Sequence, residues 1–168
     1  VATFTATELF SYEQFMFYAI TTSIMSLSRT EMRKKIVKNP QVAGVIKEVP
    51  LMEPLLMSIY DCEYKEFFQN IVKIHPLLTK DRYLGPHTSY VLREYRIVGY
   101  AQFLEAYKSV LLSSMAASFG ITVGLMDAEL ARFIASGRLN AKIDKVGDVV
   151  ETVRPEKKSA QYTDVIKK

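Results

Sequence analysis

The sequence predicts a mainly α-helical chain that closes with one small antiparallel β-hairpin. Three observations carry this expectation. Between residues 11 and 108 the apolar residues recur at helical spacing. Proline and glycine fall between those stripes, where helices join. After Gly137 the period switches to two, with Gly147-Asp148 as the turn between two short runs.

Ser11 and Gln14 have the spacing of a capping box, in which each side chain satisfies a backbone N–H of the first helical turn. The helix after this box reaches to about Leu27. Met16, Ile20, Ile24 and Leu27 form its stripe, and Phe15, Tyr18, Ala19 and Met25 widen it, so most of the helix is expected to be buried. Three shorter helices are predicted next, over 30–38, 40–49 and 51–60. Asn39 serves as an N-cap with Pro40 at the first helical position, and Pro54 is tolerable only within a first turn. Tyr64, Phe67, Phe68 and Ile71 then mark a helix over 63–74, expected to stop before His75-Pro76 because the residue before proline disfavours the α region.

Gly85-Pro86 opens the longest helix, to Lys108. Val91, Tyr95 and Val98 lie on one side of it and Ile97, Tyr100, Ala101 and Leu104 on another, which predicts a helix packed between neighbours. Residues 1–108 therefore read as a helical-repeat array of antiparallel pairs.

Beyond Tyr107, Leu112, Met115, Ala116 and Phe119 form a short helical stripe closed by Gly120. Thr122 caps a second helix whose Val123, Met126, Leu130, Phe133 and Ile134 are expected to face inward, with Gly137 at its end. Leu139, Ala141 and Ile143 then alternate with Asn140, Lys142 and Asp144. Val149 to Val153 forms the returning strand, stopped by Arg154-Pro155. Helix, turn, helix and hairpin in this order is the plan of a winged helix, here over 109–155. Residues 156–168 read as a linker and the start of a C-terminal helix.

Composition bounds the function. At 168 residues, 49% hydrophobic and 24% charged, the chain can build one sizeable core or two small units and is not of disordered type. The net charge of +4 is interleaved apart from Arg33-Lys34-Lys35 and Glu156-Lys157-Lys158, unlike the one-sided cation clusters of nucleic-acid binders. The second helix of the winged unit carries Asp127 and Glu129 against Arg132, which predicts repulsion of phosphate. The hairpin adds Asp144, Asp148 and Glu151 against Lys142, Lys145 and Arg154. A lone Cys62 excludes an internal disulfide and points to a reducing nuclear or cytosolic compartment. Ser109 to Met126 is free of charge, yet its serines and the break at Phe119-Gly120 argue against a membrane span. Val1 begins the chain without Met or a basic leader, which reads as a piece of something longer.

Chemistry is poorly provided for. His75, His87 and Cys62 are too few for a zinc site, and Cys62 as a nucleophile is outweighed by its reading as a small buried hydrophobe. Gly120 to Gly124 lacks the lysine and preceding strand of a phosphate loop. The ten Tyr and nine Phe sit at helical spacing, as core residues do, which argues against a base-stacking platform. No catalytic residue, metal or cofactor is expected.

A resemblance sharpens this. Phe103-Leu104-Glu105-Ala106-Tyr107, Met115-Ala116 with Phe119-Gly120, Glu129-Leu130 with Arg132-Phe133-Ile134, Gly137-Arg138-Leu139, Lys142-Ile143-Asp144-Lys145-Val146, and Glu151-Thr152 with Arg154-Pro155 together resemble the PCI domain. That domain is shared by the proteasome lid, the COP9 signalosome and translation initiation factor three. The resemblance continues through Phe15 to Tyr18, Ser58-Ile59-Tyr60 with Cys62 and Tyr64, and Pro86-His87 with Arg93-Glu94, while Val153 stands where the family usually has Asn. The family has further N-terminal repeats and a longer C-terminal helix, so the resemblance implies truncation at both ends.

The resemblance implies a non-catalytic scaffold whose winged helix pairs side by side with others. Its nearest match is to the proteasome lid. The implied partners are other PCI-domain lid subunits, the lid deubiquitinase assembly and proteasomal ATPase subunits, in cytoplasm and nucleus, with no specific nucleic acid and no membrane. Contacts are expected to centre on the hairpin, at Lys142, Asp144, Lys145, Glu151 and Arg154. The alternatives are a PCI scaffold of the signalosome or the initiation factor, or a nucleic-acid-binding winged helix.

Overall fold

A computed structural model describes residues 8–153, and the chain divides into two compact units, Val1–Tyr100 and Ala101–Lys168. Both the C-terminal helix expected from residue 156 and Arg154 lie outside the described residues.

In the first unit, α1 (Tyr12–Ser26) begins with the capping box of Ser11 and Gln14. Its Met16, Ile20 and Ile24 are buried. Ser28 forms a second capping box with Glu31 and starts α2 (Arg29–Met32), which runs without a break into a π-helical turn over Arg33–Val37. The expected helix over 30–38 is thus α-helical only at its start. α3 (Pro40–Val45) begins at Pro40, and α4 (Met52–Tyr60) carries Pro54 in its first turn, where a missing N–H costs nothing. α1 packs on α3 and α4, and α4 on α5 (Tyr64–Lys80).

α5 corrects the sequence expectation. It does not stop before His75-Pro76 but continues through Pro76 to Lys80. A proline here deletes the hydrogen bond to the carbonyl of Val72, four residues back. Both Pro76 and Val72 are exposed, so water can satisfy that carbonyl. Beyond the proline, Leu78 is fully buried and holds the last turn on the core.

Asp81 ends α5 and organises the passage into the next helix. One carboxylate oxygen accepts from the backbone N–H groups of Tyr83 and Leu84, both at 2.8 Å. The other accepts from the Tyr18 hydroxyl at 2.8 Å, tying the first helix to the last quarter of the unit. A 3₁₀ turn over Gly85–His87 then leads into α6 (Thr88–Ala106). A Cβ on Gly85 would lie 3.0 Å from the Thr79 carbonyl oxygen, so a side chain here would force the backbone apart. As expected, α6 is buried on two sides, with Val91 and Tyr95 on one and Ile97 and Tyr100 on the other. The Tyr95 hydroxyl is buried and donates to the Thr21 carbonyl at 3.3 Å.

In the second unit, β1 (Ser109–Leu111) precedes α7 (Leu112–Phe119), which Gly120 closes in the left-handed conformation at φ 66°. Thr122 caps α8 (Val123–Ala135) by accepting from the Leu125 N–H. β2 (Ala141–Asp144) and β3 (Val149–Thr152) form the hairpin. The sheet has the order β1-β3-β2 with both pairings antiparallel. α7 packs on α8 and β1, and α8 on β2. Met126, Leu130 and Phe133 are buried as expected, but Val123 is 44% exposed because it opens the helix rather than facing the core. Among the described residues no helix is long and apolar enough to cross a membrane.

Two consequences can be measured. Thr21 is fully buried and its Oγ1 finds no hydrogen-bond partner among the described residues. Replacing it with valine keeps the shape and removes the desolvated hydroxyl, so Thr21→Val is expected to stabilise the chain by about 1 kcal/mol in urea unfolding. Burial and the adjacent Asp81 push the Tyr18 hydroxyl up to about 12. Because the folded value lies above the unfolded one, this contribution is complete below pH 10 and fades as pH rises towards 12. Ultraviolet titration should detect a late-ionising tyrosine, and Asp81→Asn should bring it down.

Candidate protein interface

The sheet sorts the hairpin residues onto two faces. Val110, Val150 and Ile143 lie in register across the three strands, and Val150 is fully buried. Their neighbours in each strand point the other way. Ser109, Glu151 and Lys142 form one row on the outer face, and Leu111, Val149 and Asp144 form the next. Lys142 and Glu151 are therefore cross-strand neighbours of opposite charge, both exposed.

The other expected contact residues divide between solvent and structure. The Asp144 carboxylate accepts from the Val146 N–H at 2.9 Å and so shapes the turn. Lys145 reaches across to Asp127 of α8 in an ion pair, tying the turn to the helix. Val146, at the tip, is 98% exposed. Asp148 adopts a positive φ of 49°, the conformation that lets the chain reverse. Arg154, the last of the expected contact residues, lies outside the described residues.

Hydrogen bonding fixes which strand edges have no strand partner among the described residues. The Val153 N–H donates to the Asn140 carbonyl, and the Thr152 N–H to that of Lys108. Since bonding alternates along an antiparallel ladder, the backbone groups of Ala141 and Ile143 turn to the outer edge of β2, and those of Ser109 and Leu111 to the outer edge of β1. β3 lies between the two. The third strand has no signature in the sequence: Ser109 to Leu111 is too short to display a period, and its pairing with β3 is long-range.

The electrostatics of α8 are quieter than its sequence suggests. Asp127 is matched by Lys145, and Glu129, 5% exposed, lies 3.6 Å from Arg132. The helix surface includes exposed Gly124, Leu125, Ala128, Ala131 and Ala135. What it lacks is a lysine or arginine beyond Arg132. Phosphate would meet a helix whose few charges are paired, without the clustered cations that duplex binding requires.

Among the described residues the side chains that could ligate a metal stand apart. No group of three or more His, Cys, Asp or Glu side chains is arranged to hold a metal ion. His75 is exposed in the middle of α5, His87 is exposed in the 3₁₀ turn, and Cys62 is half-buried at φ 65° in the turn before α5.

Comparison with known proteins agrees with this geometry. The 26S proteasome non-ATPase regulatory subunit 6 of Oryza sativa is 47% identical over 167 residues, covering 99% of this chain and 43% of that protein. Its Dictyostelium discoideum counterpart is 43% identical over 96% of the chain and 42% of its own length. The Saccharomyces cerevisiae 26S proteasome regulatory subunit RPN7 is 37% identical over 99% of the chain and 40% of its own length. The chain thus spans well under half the length of these relatives. The PCI domain family matches residues 64–154, from the start of α5 to just past β3. A continuous match across those elements, together with the helices and three-stranded sheet that they build, places this chain in the PCI-domain family.

Proposed function

We propose that this chain is part of a non-catalytic scaffold subunit of the 26S proteasome regulatory lid, holding other subunits in place for ubiquitin-dependent degradation. The observation that carries the proposal is identity of 37–47% with proteasome regulatory subunits of plants and yeast across nearly the whole chain. The geometry is compatible: two strand edges without a strand partner among the described residues and an exposed, mixed-charge sheet face suit protein docking by strand addition. The partners are other PCI-domain lid subunits, the lid deubiquitinase assembly and proteasomal ATPase subunits. Cytoplasm and nucleus are the compartments that go with this role. Within the interface, Lys142 and Glu151 recognise a neighbour, whereas Asp144 and Lys145 shape and tether the turn.

Affinity purification of the full-length protein should recover lid subunits and 26S particles, and recovery of signalosome or initiation-factor subunits alone would refute the assignment. The single change Glu151→Lys should reduce that recovery. The double exchange of Lys142→Glu with Glu151→Lys preserves the cross-strand pair, so it should keep the melting temperature and still lose partners. Normal recovery by the double exchange would remove these residues from the interface. In a gel-shift assay at moderate salt, duplex DNA should remain unbound. Tight, salt-sensitive binding would favour the nucleic-acid reading.

A further inference from the structure

The excess charge of the chain is concentrated in one short stretch of the first unit. Residues 29–38 carry Arg29, Arg33, Lys34, Lys35 and Lys38 against Glu31 alone, so their net charge equals the +4 of the whole chain. Elsewhere the sequence balances, with seventeen charged residues of each sign. We propose that the π-helical turn over Arg33–Val37 presents Arg33, Lys34 and Lys38 as one cationic face that docks an acidic segment of a partner protein.

Three observations carry this. The first is geometry. The Lys38 N–H bonds the Arg33 carbonyl at 3.0 Å, five residues back, so the two residues stand one turn apart on the same side. In an unbroken α-helix, residues five apart diverge by about 140°, which would send these two cations to different sides. Met32 and Ile36 are buried, which fixes the turn with its three cations outward.

The second is availability. Lys35 lies 3.3 Å from Glu31, and the Arg29 guanidinium lies 5.4 Å from the centre of the Tyr60 ring. The side chains of Arg33, Lys34 and Lys38 are exposed and have no anionic or hydrogen-bonding partner among the described residues. Like charges held together in this way repel one another, and an anionic partner relieves that repulsion. The third is extent. Nucleic-acid binders of high affinity make ~6–10 phosphate contacts, whereas three free cations within one turn match the few carboxylates of a short protein segment. The proposal concerns the first unit alone and does not depend on which assembly the chain serves.

The test titrates the isotope-labelled 168-residue chain with a fluorescent oligoglutamate peptide at low salt. The backbone amide signals of residues 33–38 should shift most. By fluorescence anisotropy, Arg33→Gln with Lys38→Gln should weaken binding roughly tenfold. The charge-keeping exchange of Arg33→Lys with Lys38→Arg should retain it. Lys65→Gln with Lys80→Gln removes the same charge from exposed positions of α5 and should leave affinity and urea midpoint unchanged. Equal weakening by both glutamine pairs would overturn the proposal, by assigning the binding to net charge alone. Absence of binding, or shifts centred outside the turn, would overturn it too. So would tighter binding of single-stranded oligothymidylate than of an oligoglutamate of equal charge, which would make the turn a nucleic-acid site.

Discussion

The winged unit depends on β3 being the middle strand. Val150 is its fully buried residue, and the strand bonds β1 on one side and β2 on the other. Thr152 extends this role beyond the sheet. Its hydroxyl lies 2.8 Å from the Tyr107 carbonyl and 3.3 Å from that of Leu104, at the end of α6 where the helical ladder runs out. A hydroxyl has one proton, so the shorter bond to Tyr107 claims it. One strand therefore completes the sheet and caps the helix that enters it, and among the described residues the outer edges of β1 and β2 carry no further strand.

The first unit is organised by comparable long-range ties rather than by local preference alone. Asp81 bonds Tyr18 from one oxygen and the start of the 3₁₀ turn from the other, so the same carboxylate fixes the end of α5 and the approach to α6. Tyr95 bonds the Thr21 carbonyl in the middle of α1. These bonds join residues 63 and 74 positions apart. Such buried or half-buried polar contacts cost more when broken than they contribute when made, and so they select one packing of the helices.

Much of this is legible in the sequence because it rests on periodicity and caps. The capping box at Ser11, Pro40 at a helix start, Gly120 at a helix end and the hairpin turn at Gly147-Asp148 are local signals that tertiary structure leaves in place. The departures share a cause. Pro76 reads as a stop because the sequence cannot say that the lost hydrogen bond faces water while Leu78 is buried. The π turn at Arg33–Val37 has no signal in composition or spacing. β1 exists because β3 offers it an edge, which is a property of distant residues. In the candidate interface, Lys142 and Glu151 are recognisable as exposed strand residues. That Lys145 answers Asp127 across 18 positions is not recognisable, because the pair is formed only by the fold.

That ion pair changes the electrostatic argument about nucleic acid. The sequence suggests repulsion by an acidic helix, but Asp127 and Glu129 each lie beside a cation of the same unit. Arg132, the helix's only cation, is held by Glu129. Binding phosphate would mean giving up these pairs and would still leave too few cations to displace the counterions that supply most duplex affinity. The strand edges face no such penalty, since their outward backbone groups bond any extended segment whatever its side chains. In this unit the charges of the second helix are therefore paired from within, while strand pairing among the described residues ends at β1 and β2.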